Sequence, residues 1–174
     1  IFINMKKVGD GNYLGSIVLG LNDALVELTG ALVGLTLVLA NSKIILITGF
    51  VTGFAASLSM AASEYLSTKT ECNHNTKERR QKGHKEPITS AVFTGLAYIF
   101  TVLILLFPYI IFSNVYYALI FSMINSVVII LAFSYHASIE RGDNFYTRFF
   151  EMIIITFAVA LISSFMGYFL KLFL

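Results

Sequence analysis

Five long apolar stretches dominate the chain, at residues 15–40, 44–67, 88–112, 115–138 and 149–173. Each runs for more than 20 residues without period-two alternation, so each is expected to be a helix rather than a strand. Polar punctuation separates them. Asn41-Ser42 makes a tight turn, Ser113-Asn114 another, and Arg141-Gly142-Asp143-Asn144 a third. Pro87 stands where the first turn of a helix tolerates proline. About 20 apolar residues suffice to cross a hydrocarbon core of about 30 Å. Lipid satisfies no backbone group, which leaves helices or a closed barrel. The expected fold class is all-α, a polytopic membrane protein with five transmembrane helices. One membrane domain should occupy residues 15–174, after an N-terminal segment 1–14 and with a short loop at 68–87.

Composition narrows this further. The chain is 57% hydrophobic and 13% charged, with a mean hydropathy of +0.79. Soluble domains are nearer 45–50% apolar and about 25% charged. A water-soluble globule and a disordered chain are therefore excluded. A single cysteine, Cys72, excludes an intrachain disulfide. The chain opens on Ile1 rather than Met, so a preceding segment is expected, and residues 1–12 lack the apolar core of a signal peptide.

Charge sets the expected direction. With five spans, Lys6, Lys7, Lys69, Lys77, Arg79, Arg80, Lys82, Lys85, Arg141 and Arg148 fall on one side, and only Lys43 and Lys171 on the other. The positive-inside rule then puts the N-terminus and the 68–87 loop in the cytoplasm and the C-terminus outside. Tyrosines are expected in two interfacial belts: Tyr13, Tyr65, Tyr135 and Tyr146 inside, Tyr109, Tyr116, Tyr117 and Tyr168 outside. Tyr98 alone falls mid-membrane.

The chemistry lies in the acids the spans contain. Asp23 and Glu27 lie in the first, Glu64 near the inner end of the second, and Glu151 near the inner end of the fifth. An ionisable group near the bilayer centre costs at least about 2.5–3.5 kcal/mol. Helix rise puts Asp23 about 12 Å deep, level with Met60, and Glu27 about 18 Å deep. Asp23, Glu27, Gly30 and Gly34 share one helical stripe. Gly49, Gly53, Ala56, Met60 and Glu64 make a similar one on the second helix. Both stripes are expected to face another helix or a watery path rather than lipid. Carboxylates suit hard or borderline divalent cations, and a thioether adds preference for softer ones. A carboxylate in low dielectric can trade a proton for a metal ion. Divalent metal transport coupled to protons is the reading this favours. The alternative is that the acids are protonated and hold the helices together.

Two segments carry a resemblance. Gly20-Leu21-Asn22-Asp23-Ala24-Leu25-Val26-Glu27-Leu28-Thr29-Gly30-Ala31-Leu32-Val33-Gly34 resembles the first helix of the vacuolar iron transporter family, and Ser59-Met60-Ala61-Ala62-Ser63-Glu64-Tyr65-Leu66-Ser67 resembles its second-helix motif. The resemblance implies a homodimer that moves Fe2+, and often Mn2+, out of the cytosol in exchange for protons, along a path lined by the first helices. Its pathway aspartate corresponds to Asp23, its second-helix methionine to Met60, and its Glu-Tyr pair to Glu64-Tyr65. The variant Asp23-Ala24-Leu25-Val26-Glu27-Leu28-Thr29-Gly30 resembles a prokaryotic branch, some of whose members are fused to an iron-binding domain. Well-studied members insert a Glu-rich cytoplasmic metal-binding domain between the second and third spans. Here only residues 68–87 stand there, with Glu71, Glu78 and Glu86 among six basic residues.

The expected metal residues are thus Asp23, Glu27, Met60 and Glu64, with Glu151, Met152 and His136 as weaker candidates for an inner entrance or proton relay. Glu151 has an alternative as a partner of Arg148. Cys72, His74 and His84 match no standard zinc spacing and are read as a solvated loop. The basic run at 77–82 is read as a topology determinant, and Asn125, Ser122 and Ser126 as interhelical hydrogen-bonding groups. Nothing resembles a phosphate loop, a nucleophile elbow or a zinc-protease motif, so no enzyme, cofactor or nucleic-acid partner is expected. Five helices without an internal repeat make a thin wall for a path, and a symmetric dimer through the first helix would complete it. Other readings are a membrane anchor for a fused or separate iron-binding domain, and a transporter of zinc or nickel. The expected location is a prokaryotic cytoplasmic membrane, with a vacuolar or other organellar membrane as the alternative.

Overall fold

The computed structural model of the protein describes residues 13–39, 41–74, 86–141 and 144–173. Lys6, Lys7, the basic run and His84 lie outside the described residues, as do the side chains of Cys72, His74 and Arg141. Five helices follow one another: α1 Leu14–Val38, α2 Ser42–His74, α3 Pro87–Ile111, α4 Val115–Arg141 and α5 Phe145–Phe173. All five are long and apolar enough to cross a membrane, and among the described residues there is no strand. Two boundaries differ from the sequence expectation by more than three residues. α2 runs on past residue 67 to His74, because Thr68–His74 contains neither Gly nor Pro to stop it. α5 starts at Phe145, where Asn144 supplies the start signal, rather than at 149.

Side-chain oxygens place the turns. Asn41 Oδ1 accepts the backbone N–H of Lys43 at 3.0 Å, Asn114 Oδ1 that of Tyr116 at 3.0 Å, and Asn144 Oδ1 that of Tyr146 at 3.1 Å. Three of the five helices thus begin on an asparagine that satisfies an otherwise orphaned donor. α3 begins instead on Pro87, preceded by an extended Glu86. Pro87 needs no donor partner and presets the helical φ.

α1 is the central helix. Of its most apolar 18-residue window 44% is buried, against 17% for α5. It packs on all four others, most closely on α3 and α5. Leu25 and Leu32 of α1 are fully buried with Ile45 of α2, Val102 and Leu105 of α3 and Ala118 and Ile130 of α4. The outer faces carry exposed Ile47, Val51, Phe54, Ile110, Leu161 and Phe165. Apolar side chains outside as well as inside are what a lipid solvent permits.

Small residues set the helix spacing. Gly34 and Gly167 face each other across α1 and α5, and a Cβ built on Gly167 would stand 2.8 Å from the Gly34 carbonyl oxygen. Gly49 and Gly53 of α2 lie on Leu106 and Val102 of α3. The glycines of the two expected stripes therefore do face neighbouring helices of the same chain, whereas Glu27 of the α1 stripe is exposed on the bundle surface. The polar cluster of α4 also does what its position suggests. Ser122 Oγ donates to the Leu105 carbonyl at 2.9 Å and Asn125 Nδ2 to the Ile104 carbonyl at 3.2 Å. Ser126 differs, donating to the Met123 carbonyl within its own helix.

Candidate functional site

The acids of α1 and α2 cluster toward the bundle end where α1, α3 and α5 begin. At that end Ser16 Oγ donates to Glu64 Oε1 at 2.6 Å and lies 3.2 Å from Ser90 Oγ. Thr94 Oγ1 donates to the Ser16 carbonyl at 3.0 Å. Glu64 is thereby fixed to α1 and α3 together, at the level of the first turn of α1. Tyr13 closes the same end. It is 7% exposed, packs on Phe93 with ring centroids 5.4 Å apart, and its hydroxyl accepts the Glu86 backbone N–H at 3.1 Å.

Asp23 lies nine residues into α1, about 14 Å along it. It is half-buried and lines an open groove of about 450 Å³ between α1 and α5. Asn22, Val26 and Gly15 contribute from α1, and Met152 and Ile155 from α5. Glu27 follows one turn deeper. Its Oε2 accepts the Tyr98 hydroxyl at 2.7 Å, yet the residue as a whole is exposed on the surface of the bundle. Tyr98 itself is 1% exposed. Its ring fills the core beside Leu105 and Ala24 while its one polar atom reaches the carboxylate.

Met60 is half-buried against the same core. Its level follows from α3, where Thr94 lies on Gly20 and Gly95 lies on Ala61. Met60 is then within about one turn of Asp23, but it is not among the residues that line the groove. The thioether in that space is Met152. Glu151 is exposed beside it, and His136 is half-buried near the end of α4. Among the described residues, no three His, Cys, Asp or Glu side chains gather closely enough to hold a metal ion. The arrangement is instead a file: Glu64 at the end, Asp23 in the groove, Glu27 deeper.

Three positions were not singled out as functional by sequence reasoning: Tyr98, Ser16 and Asn22. Tyr98 carried a signal, since it is the one tyrosine placed mid-membrane. Ser16 and Asn22 carried none, because their roles depend on which helix lies opposite. Two tyrosines assigned to interfacial belts belong to the core. Tyr109 is 3% exposed and shares a hydrogen bond of 3.0 Å with Thr36, and Tyr13 is buried as described. Tyr116, Tyr135, Tyr146 and Tyr168 are exposed, as interfacial rings should be.

Removal of the Tyr98 hydroxyl has a calculable effect. A hydrogen bond to a charged group contributes about 1.5–3 kcal/mol. Tyr98→Phe keeps the ring and its packing but leaves Glu27 without that donor. If Glu27 handles the cargo, Tyr98→Phe is expected to lower metal uptake by reconstituted protein about tenfold while the melting temperature in detergent shifts by only a few degrees. Unchanged uptake would remove Glu27 from the path.

No curated protein matches the chain. The family model of the VIT family matches residues 14–85 and 79–168. The two matched pieces meet in the link between α2 and α3 and together take in all of α1 to α4 and most of α5. Five membrane-spanning helices, acids filed along the first of them and a family match over most of the chain agree: the chain belongs to the VIT family, the vacuolar iron transporters, and is a membrane metal-ion transporter of the iron and manganese class.

Proposed function

We propose that the protein exports Fe2+, with Mn2+ as a second cargo, from the cytosol in exchange for protons, and that it works as a homodimer joined along α1. The observation that carries this reading is the placement of Glu27. It lies about 20 Å along α1, is exposed on the bundle surface, and is held there by the Tyr98 hydroxyl. A carboxylate at that depth facing hydrocarbon costs several kcal/mol. A second copy presenting the same α1 face would enclose Glu27 and Asp23 between two sets of carboxylates. The enclosed space is then polar, and the cost is offset by water, a partner or a cation.

Each carboxylate holds either a proton or a share of a divalent cation, so cation passage and proton movement in the opposite sense are linked by charge alone. The few side-chain ligands cannot complete six-coordination, and the cation keeps part of its water shell. Glu64, tied to Ser16 at the bundle end, stands where a cation would enter if that end faces the cytosol. The Lys and Arg asymmetry favours that direction. A prokaryotic cytoplasmic membrane is the proposed location.

Uptake by proteoliposomes tests this. Fe2+ kept reduced, Mn2+ and Zn2+ are supplied with and without a pH gradient. Fe2+ and Mn2+ flux that rises with the gradient and exceeds Zn2+ flux is the expected result. Flux indifferent to the gradient would overturn proton exchange, and no flux of any metal from folded protein would favour a membrane anchor.

A further inference from the structure

The buried hydroxyls of the bundle fall into two sets. Those of the first are engaged. Thr94 Oγ1 donates to the Ser16 carbonyl at 3.0 Å, Thr101 Oγ1 to the Ala97 carbonyl at 2.9 Å and Ser57 Oγ to the Phe54 carbonyl at 2.8 Å. Those of the second have no partner. Thr29 Oγ1, Ser134 Oγ and Thr156 Oγ1 are buried without a hydrogen bond among the described residues, as is Asn22 Oδ1. Thr29 is 2% exposed, Ser134 1% and Thr156 1%. The unpartnered groups lie on α1, α4 and α5, and none of them on α2 or α3.

Their positions form one seam. Asn22 and Thr29 are seven residues apart and share a face of α1. Gly30 lies on Val159 and Gly34 on Ser163, which sets Thr156 within about one turn of Thr29 along the bundle. Asn125 reaches the Ile104 carbonyl, which sets Ser134 about level with Asn22. The seam is fastened at one end only. In their second halves α1 and α5 meet backbone to backbone, at Gly34 and Gly167. Toward the start of both helices they part, leaving the open groove lined by Gly15, Asp23, Met152 and Ile155. α5 is also the least buried helix, with 17% of its window covered.

We propose that α5 is the moving helix of the transport cycle: it swings off α1 and α4, and this opens the seam of Asn22, Thr29, Ser134 and Thr156 to water. The structure described is the closed state of that seam. The proposal rests on the chain being a transporter. A buried hydroxyl with neither a partner nor water destabilises the state that buries it, and an apolar group of the same shape removes that cost. The cost disappears equally when water reaches the hydroxyl, so the unpartnered groups bias the bundle toward an open state without making it the resting one. The contacts that close the seam suit such motion. Glycine faces hold by close packing, and they separate without breaking a side-chain hydrogen bond. On the other side of α1, Thr94 and Ser16 tie it to α3, so α1 stays with α3 while α5 moves.

The experiment uses the full chain and a matched pair of positions. Thr101 and Thr156 are each 1% exposed and each about level with Glu27, by the Thr94–Gly20 and Val159–Gly30 contacts. Only Thr101 has a hydrogen-bond partner. Thr156→Val should raise the melting temperature in detergent by about 2–6 °C and slow Mn2+ uptake by proteoliposomes about fivefold, because the closed seam then holds more firmly. Thr101→Val should give no rise and leave uptake within about twofold of the parent. A melting temperature that Thr156→Val leaves unchanged or lowers would overturn the proposal, and so would a rise with uptake unchanged. Thiol labelling reads the opening itself. In a Cys72→Ser background, which removes the single cysteine, a water-soluble maleimide should modify Thr156→Cys at least about tenfold faster than Thr101→Cys. Equal rates would show that the seam does not open to water and would overturn the proposal. Labelling does not depend on metal flux. Fast labelling of Thr156→Cys in a protein that moves no metal would leave the opening seam standing and the export reading refuted.

Discussion

Asp23→Asn is expected to reduce metal flux by about 100-fold and to leave the fold intact. The two side chains have nearly the same size and shape, and Asp23 is only half-buried, so packing around the α1–α5 groove should survive. What disappears is a negative charge where a divalent cation must leave most of its water. At an effective dielectric of about 20, two unit charges 4 Å apart attract by about 4 kcal/mol, and a divalent cation doubles this. The amide carbonyl can still coordinate and recovers part of the loss. If only a third of the attraction is lost, about 2.7 kcal/mol remains missing, which is a factor of about 100. Proteoliposome uptake reads the flux, and thermal unfolding in detergent checks the fold. An Asp23→Asn variant that transports like the parent would make Asp23 a packing acid and remove the charge from the path. Glu27→Gln should be nearly as severe, because it loses the charge and turns the Tyr98 bond into a weaker neutral one.

The spans were legible because lipid imposes one rule on every residue in them. Long unbroken apolar runs must be helices, and the asparagines and Pro87 between them mark where helices begin. What could not be read was which helix faces which. The stripe of Asp23, Glu27, Gly30 and Gly34 is one face on paper, and in the fold it meets different surroundings along its length. Gly30 and Gly34 lie on Val159 and Ser163 of α5. Asp23 opens into a groove shared with α5, and Glu27 turns to Tyr98 of α3. A helix stripe specifies a direction, whereas helix crossing decides what stands in that direction.

The same limit applies to the methionines. Met60 was singled out because it shares a short motif with Glu64 and a computed depth with Asp23. Depth follows from helix rise and is recovered to within about a turn. Orientation about the helix axis relative to a neighbour does not follow from rise. Met152, one residue from the exposed Glu151, turns inward to the groove while Glu151 turns out. Neighbouring helical positions differ by about 100°, so a pair that reads as one site in sequence separates into two surroundings. Tyr13 and Tyr109 differ from the other interfacial tyrosines for a related reason. Their depth is interfacial, but both side chains point at α3 or α1 rather than at lipid, and each hydroxyl has a partner inside the bundle.

Gly20→Ala is expected to be the most damaging substitution outside the charged residues. A Cβ on Gly20 would fall within contact distance of the Thr94 carbonyl oxygen, with the Thr94 Cα only 3.2 Å away. That obstacle is backbone of α3, not the end of a flexible side chain, so the two helices must part. Parting them stretches what the contact holds together: Thr94 to the Ser16 carbonyl at 3.0 Å, Ser16 to Glu64 at 2.6 Å, and Tyr98 to Glu27 at 2.7 Å. Overpacking costs about 1–3 kcal/mol, and each weakened hydrogen bond adds about 1 kcal/mol. A total of about 4–6 kcal/mol would lower the melting temperature by about 8–24 °C on the scale of proteins this size. Flux should fall with it, because two of the three acids lose their donors. Gly95→Ala is the control. Its Cβ would stand 3.2 Å from the Ala61 Cβ and 3.5 Å from the Ser57 carbonyl, a crowding that a shift of a few tenths of an ångström relieves. A large drop for Gly20→Ala beside a small one for Gly95→Ala would locate the tight contact between α1 and α3. Equal and small effects would mean that the α1–α3 approach does not position the carboxylates, and that Tyr98 alone holds Glu27 in place.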